Sequence, residues 1–464
     1  MEKKESVIAH SKASMASYGF GKFVHEFLNM AFGAFVFFYY EGELGLNVWL
    51  TAIGYIIFAV WNAVNDPIVG YLVDRPFKFT KRWGRRFPWV LIGGIPWIIC
   101  YFLLYIPPDV DPQSGSWILF TWLVVMTCLY DTFGSIFNVN FFGLFPDKFR
   151  ENTERRTASG ISTLVGTFGS AFGAIIPPLF IVFGDRSTYA LQGGVVVMVC
   201  LIALALAIPG SQEDQERIDN YLEKVGEKHE KASFFETLKT CLKLKNFVVF
   251  IFAYICYRSL IYMMIGSIPY MARYVLNVEA SAITFMMAGF LIGSFCSIPI
   301  WIKVAHKTND NRKTYITAAF LMGFLTIPLI FLENYLLIVI VIIAWGMGLG
   351  GFWVMIDPVF SDLIDESVIV TKKREEGIYL GIQTFFSRMA MVIQAVSFAV
   401  VHTLTGFQEG AASQPPLAIW GIHIHFALLP MIFIFLAGFI LWKWYDLTPE
   451  KVAENKEKLE EIGL

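Results

Sequence analysis

The residues of this chain that could do chemistry are polar side chains set inside long apolar runs. Residues 47–73 contain Asn62, Asn65 and Asp66, followed by Pro67. Asn62 and Asp66 are four apart, so on a helix both side chains face one way. Pro67 has no N–H to give the carbonyl four residues earlier, which frees that oxygen. A carboxylate, an amide oxygen and a spare carbonyl suit a hard cation. Asp131 and Asn138 lie seven apart in another apolar run, again on one face, with Asn140 close by. Lys22, His25 and Glu26 sit in the first run, and Trp353 and Asp357 in a later one.

Two arginines are the least expected of these residues. Arg258 lies midway along an apolar run, and Arg388 lies about a third of the way into another. Charge at membrane depth is costly and marks function. The guanidinium fork matches carboxylate, phosphate or vicinal hydroxyl oxygens. Two readings stay open for Arg258: an internal pair with Asp131 or Asp357, or a contact to substrate. His423 and His425, two apart, point to different helix faces, which argues against a shared metal.

These residues need spanning helices to hold them. The 464-residue chain is 56% hydrophobic and 16% charged, with a mean hydropathy of +0.58. Soluble domains carry about 25% charged residues. A span needs roughly 20 apolar residues. Such runs fall near 19–40, 47–73, 88–106, 117–145, 158–183, 189–209, 247–275, 281–303, 314–332, 335–360, 377–404 and 419–444. A polar stretch over 210–246 divides them six and six, the rhythm of a duplicated transporter. The expected organisation is therefore an all-α membrane protein with a bundle over 1–210 and a linker over 211–246. A second bundle covers 247–446 and a solvated tail 447–464. Phe234, Phe235, Leu238 and Leu242 repeat at helical spacing beside lysines, which predicts a short helix on the membrane surface.

Charge sets the orientation. Basic residues gather after spans 2, 4, 8 and 10, and alternate loops are acidic or bare. The positive-inside rule then puts both termini in the cytoplasm, in a cell membrane. A net charge of −2 gives no footprint for nucleic acid. The first run lacks a cleavable signal pattern. None of the six cysteines forms a CxxC pair, and no HExxH, GxSxG or P-loop motif appears, so no enzyme is expected.

Residues 65–86 read NDPIVGYLVDRPFKFTKRWGRR. Gly70–Asp74–Arg75 and Gly84–Arg85–Arg86 resemble the loop 2–3 signature of the major facilitator superfamily. With the preceding NDP-x-x-G, with YGFGK at 18–22, FW at 352–353 and REEGIYLGIQT at 374–384, the chain resembles the glycoside–pentoside–hexuronide:cation symporters, the melibiose permease-like family. That resemblance implies a major facilitator fold of 12 transmembrane helices in two six-helix bundles, working by alternating access. It also implies a cation site at Asp66, Asn62 and Asn138, where sodium-using relatives carry acids at the two asparagine positions. The implied substrate contacts are Glu26, Asn138, Phe142, Trp353 and Arg388, with Arg258 and Asp357 added from their depth in the spans. Thr163 stands where the family has a sugar-binding arginine. Asp74, Arg75, Arg85 and Arg374 match the cytoplasmic gate.

Two amides in place of acids leave Asp66 as the only carboxylate of the implied site. A lone carboxylate in a dry site takes up a proton readily. The expectation is proton-coupled symport, favoured over sodium, of a sugar or glycoside such as an acidic hexuronide, by a monomer without cofactors. The competing expectation is a lysophospholipid or other amphiphile symporter of the same fold, since those proteins share the NDP-like element.

Overall fold

The structure is a computed structural model that describes residues 10–73, 77, 80–149, 151–213, 218, 234–372 and 376–462. Among the described residues every regular element is helical. The chain divides into two compact units, Met1–His229 and Glu230–Leu464.

The first unit contains α1 (Lys12–Phe38), α2 (Val48–Val73), α3 (Phe87–Leu103), α4 (Ser116–Lys148), α5 (Asn152–Ile175) and α6 (Arg186–Ser211). The second contains α7 (Lys245–Tyr270), α8 (Ile283–Thr308), α9 (Asn311–Thr326) and α10 (Tyr335–Thr371). It continues with α11, in segments Glu376–Ser387 and Met389–Thr405, and α12, whose segments Pro416–His423 and Leu429–Trp444 flank a π turn. The tail forms α13 (Pro449–Ile462).

Ten of these helices are long and apolar enough to cross a membrane. The other two of the twelve are α3, with 17 residues, and α1, whose Lys22, His25 and Glu26 interrupt its apolar surface. The chain is a multi-pass membrane protein. Its outer surface is apolar, unlike that of a soluble protein: Val60, Trp117, Leu164, Phe285, Phe331 and Leu404 are all more than half exposed. Lipid replaces water as the solvent, so helices that satisfy their own backbone groups are the available solution.

Within the first unit α1 packs along α5. The contact is close because Gly169 and Gly173 of α5 face the backbone of Phe23 and Phe27. Small residues allow that approach between membrane helices. In the second unit a close contact of the same kind joins the second and fourth helices, α8 and α10, through Gly293 and Gly346.

α1 and α7, the first helix of each unit, end in the same way. α1 runs into a π turn, Tyr39–Glu43, and α7 into another, Met271–Val275. Leu44 N–H donates to Tyr39 O and Leu46 N–H to Tyr40 O, each at 2.9 Å. Leu276 N–H donates to Met271 O and Val278 N–H to Ala272 O, again at 2.9 Å. The chain then reverses through a left-handed residue, Gly45 (φ 75°) in one unit and Asn277 (φ 52°) in the other. Glycine and asparagine are the residues that enter this region most readily.

Several details differ from the sequence reading. Arg155 and Arg156, two of the basic residues that the sequence reading assigns to the loop after span 4, belong to α5, and α10 runs on to Thr371. Arg388 was expected inside a continuous helix but stands at the break in α11. Thr384 Oγ1 donates to Leu380 O at 2.9 Å and Ser387 Oγ to Thr384 O at 2.7 Å. Such back-bonding competes with the helical ladder and bends helices. The tail is not uniformly solvated: α13 packs on α10 and buries Asn455 and Leu459. The helix expected in the linker is present at Phe234–Cys241, though the side chains of Phe234 and Phe235 lie outside the described residues.

Candidate functional site

α4 carries the polar residues of the first unit on one face. Asp131, Ser135, Asn138 and Phe142 follow the i, i+4, i+7, i+11 spacing of a helical stripe. The first two meet α2. Asn62 Nδ2 donates to Asp131 Oδ1. Asn65 Nδ2 donates to Asp131 Oδ2 at 3.1 Å. Ser135 Oγ donates to Asp66 Oδ1 at 2.5 Å. Because Asn62 and Asp66 are one turn apart, as are Asp131 and Ser135, the contacts form two rungs between α2 and α4. The rise between the rungs is about 6 Å. Asp131 and Asn65 are buried. Asn62 Oδ1 is buried with no hydrogen-bond partner. A buried acceptor without a donor is costly.

The second half of the α4 stripe meets α1. His25 Nδ1 lies 2.7 Å from Asn138 Oδ1, so the ring nitrogen donates. The Phe142 ring stands edge-on to His25 at 5.0 Å. The next residue of α1, Glu26, accepts from Ser170 Oγ of α5 at 3.1 Å. Lys22 Nζ donates to Thr163 Oγ1 of α5 at 3.1 Å. Lys22, His25, Glu26 and Asn29 therefore form a polar strip along α1, facing α4 and α5. The close α1–α5 contact holds that strip in place.

This arrangement regroups the residues expected from the sequence. Asp66 and Asn62 do face one way. Asn138 does not join them: its hydrogen bond goes to His25. Asp131, Asn65 and Ser135 take the place expected for Asn138. The sequence held a signal for Asp131, which shares a helix face with Asn138, but none for Ser135.

The second unit places its candidates on α7 and α10. Trp353 Nε1 donates to Tyr257 Oη at 2.7 Å. The buried Tyr257 ring stacks on Phe352 at 4.2 Å. Arg258 Nη2 donates to Tyr262 Oη at 2.7 Å, and its Cζ lies 4.8 Å from that ring's centroid. Asp357 is exposed, and no ion pair joins it to Arg258 among the described residues. The internal Arg258–Asp357 pair considered from the sequence is thus not formed.

A pair of imidazoles also lies in the second unit. His402 Nε2 is 3.1 Å from His425 Nε2, and His425 Nδ1 is 2.6 Å from Ser267 Oγ. His425 belongs to the π turn of α12, which turns its ring toward α7 and α11. No group of three or more metal-ligating side chains exists among the described residues.

Of the gate residues, Asp74, Arg75 and Arg374 lie outside the described residues. Arg85 Nη2 donates to Asp147 Oδ2 at 3.1 Å. Arg86 Nε donates to the same oxygen at 2.7 Å. Glu213 Oε1 accepts from Arg86 N–H at 2.6 Å and from Phe87 N–H at 3.1 Å. Lys148 Nζ donates to Gly210 O at 2.7 Å. These contacts tie together the start of α3, the end of α4, the end of α6 and Glu213 just beyond it. The sequence pointed to Arg85 but not to Asp147 or Glu213, which are distant in the chain.

The profile of the MFS/sugar transport protein family matches residues 17–449. A zebrafish (Danio rerio) protein, sodium-dependent lysophosphatidylcholine symporter 1-A, is 21% identical, with 99% of this chain and 90% of that protein covered. The uncharacterized symporter YnaJ of Bacillus subtilis (strain 168) is 25% identical, over 98% of this chain and 96% of its own. The crystal structure of a D-xylose-proton symporter superposes with a TM-score of 0.61 at 11% identity, covering 93% of this chain and 96% of that one. It supports the major facilitator fold. The chain belongs to the MFS/sugar transport protein family and is a membrane transporter, not an enzyme.

Proposed function

We propose that the chain is a sodium-coupled symporter of a sugar or glycoside, working by alternating access in the cell membrane with both termini in the cytoplasm. One observation carries the coupling half: the two-rung contact between α2 and α4, with Asn62 Oδ1 unsatisfied beside it. The expectation of proton coupling rests on Asp66 as the lone carboxylate of the site. Asp131 supplies a second carboxylate on the same pair of helices. Two carboxylates, a serine hydroxyl and amide oxygens are the donor set of a hard cation. The sodium-dependent relative points the same way.

The α4 stripe offers a route from ion to solute. One helix face touches the acids of α2 at one end and the polar strip of α1 at the other. A shift of α4 on ion binding therefore moves Asn138 and Phe142. Lys22, His25, Glu26 and Asn29 provide both donors and acceptors, which suits a ligand rich in hydroxyls.

The test is uptake of radiolabelled methyl β-glucoside and methyl β-glucuronide into proteoliposomes under a sodium gradient, a proton gradient or neither. Sodium-driven uptake that Asp66→Asn removes is the expected result. Uptake indifferent to both gradients, or unaffected by Asp66→Asn, would overturn the coupling. A second reading, transport of a lysophospholipid, is favoured by the name of the zebrafish relative, which aligns over nearly the whole chain. Lysophosphatidylcholine in the same vesicles decides between the two solutes.

A further inference from the structure

Among the described residues Arg258 has no counter-ion. Its hydrogen bond goes to the Tyr262 phenol, and its guanidinium lies over the same ring. The phenols of Tyr262, Tyr254 and Tyr257 surround it. No carboxylate lies within ion-pairing distance of it among the described residues. Its Nε is buried and makes no hydrogen bond. Asp357, on α10, is exposed and does not reach it.

This is an expensive arrangement. A charge at membrane depth is normally paired with an opposite charge. Withdrawing a charge from water without an opposite charge beside it is strongly destabilising. The three phenols offset part of that cost, since aromatic faces attract a cation and a phenol oxygen accepts a hydrogen bond. They add no negative charge. They also fix the guanidinium: Tyr262 is one helical turn from Arg258 and holds Nη2, which leaves the Nε edge to a ligand.

We infer that Arg258 is the receptor for an anionic group on the transported solute, a carboxylate or a phosphate, and so selects acidic substrates over neutral ones. The inference rests on reading the chain as a carrier of an organic solute, but it does not depend on which cation drives transport. A carboxylate or phosphate oxygen would accept from the Nε edge and complete the ion pair. Trp353, held against Tyr257 on the same helix as Arg258, would then offer a ring to the rest of the solute.

Equilibrium binding to the purified full-length protein in detergent tests this without any gradient. Melting temperature in saturating sodium chloride is followed against two matched pairs. The first is methyl β-glucuronide and methyl β-glucoside. The second is lysophosphatidylglycerol and monoacylglycerol. Preferential stabilisation by the acidic member of either pair is expected, and the pair that responds identifies the anion's source. Arg258→Gln should remove that preference, on the order of tenfold in affinity, as for one lost charge-assisted hydrogen bond. Equal stabilisation by both members of both pairs overturns the inference. So does an acid preference that survives Arg258→Gln. Should Arg258→Gln fail to fold, Arg258→Lys keeps the charge and loses the fork. Its acid preference should fall several-fold, and an unchanged ratio overturns the inference. Failure of gradient-driven uptake would count against the symporter reading while leaving these binding ratios interpretable.

Discussion

Asn62 is the residue on which the choice of cation turns. Its amide nitrogen is committed to Asp131, and its amide oxygen is buried without a donor. Asn62→Asp would place a third carboxylate beside the rungs. We expect it to tighten sodium activation of uptake by about tenfold, equivalent to about 1.4 kcal/mol. Asp131→Asn should weaken sodium activation by at least as much. Sodium titrations of uptake in proteoliposomes check both, and an unchanged half-activation in Asp131→Asn would remove Asp131 from the site. The sequence made half of this legible. Asn62 and Asp66 announce a shared face through their own spacing. Which face of α4 meets them depends on the register between two helices about 70 residues apart, and spacing within one helix carries no record of that. Ser135 and the contact of Asn138 with His25 are therefore not legible in the sequence.

At the scale of elements, α4 and the α1–α5 pair do the positioning. A Cβ at Gly173 would lie 2.5 Å from Phe27 O. Gly173→Val should therefore push α1 away from α5 and cost about 1–3 kcal/mol, as overpacking does. Thermal unfolding in detergent measures the loss. The strip formed by Lys22, His25, Glu26 and Asn29 would move with α1, so solute binding should weaken together with stability. If Gly173→Val melts and binds as the wild type does, the close contact does not position the strip. Spans were legible because lipid demands about 20 apolar residues in each. The break at Arg388 was not. It depends on the hydroxyls of Thr384 and Ser387 turning back onto the helix, a choice that exposed serines and threonines do not always make.

At the scale of the whole molecule, each unit is tied at one end by a polar knot. In the second unit the knot centres on Asp446. Lys245 Nζ reaches Asp446 Oδ2 at 3.2 Å and Lys451 Nζ reaches Oδ1 at 3.0 Å. Asp446 N–H donates to Asn246 Oδ1 at 2.9 Å. Partial burial raises the carboxyl's pKa, but the hydrogen bonds it accepts outweigh this and hold it below the usual carboxylate value. A depressed folded pKa contributes stability above the unfolded value, about 3.9, and that contribution is lost as pH falls through the folded one. The wild type should therefore melt above Asp446→Asn at neutral pH, and the gap should close below about pH 4. A gap independent of pH would show that the ion pairs add nothing. The six-plus-six division was legible in the polar stretch over 210–246. The docking of α13 was not, because Leu459 and Asn455 are scattered among lysines and glutamates that suggest solvent on every side.

The matching ends of α1 and α7 have a consequence for how the molecule is inherited and built. Both halves keep a π turn, the same two 2.9 Å hydrogen bonds and a left-handed residue, although the residues differ at nearly every position. A detail of that kind is the mark of one ancestral gene copied in tandem, with the copies free to diverge everywhere except where the backbone must reverse. An ancestor of half this length had to fold without a second half on the same chain, and the descendants of its two copies should retain some of that independence. Two separate polypeptides, residues 1–229 and 230–464, co-expressed in one membrane, should associate and restore uptake, and each should resist proteolysis when expressed alone. If neither half is protected from protease without the other, the second copy has become a dependent of the first.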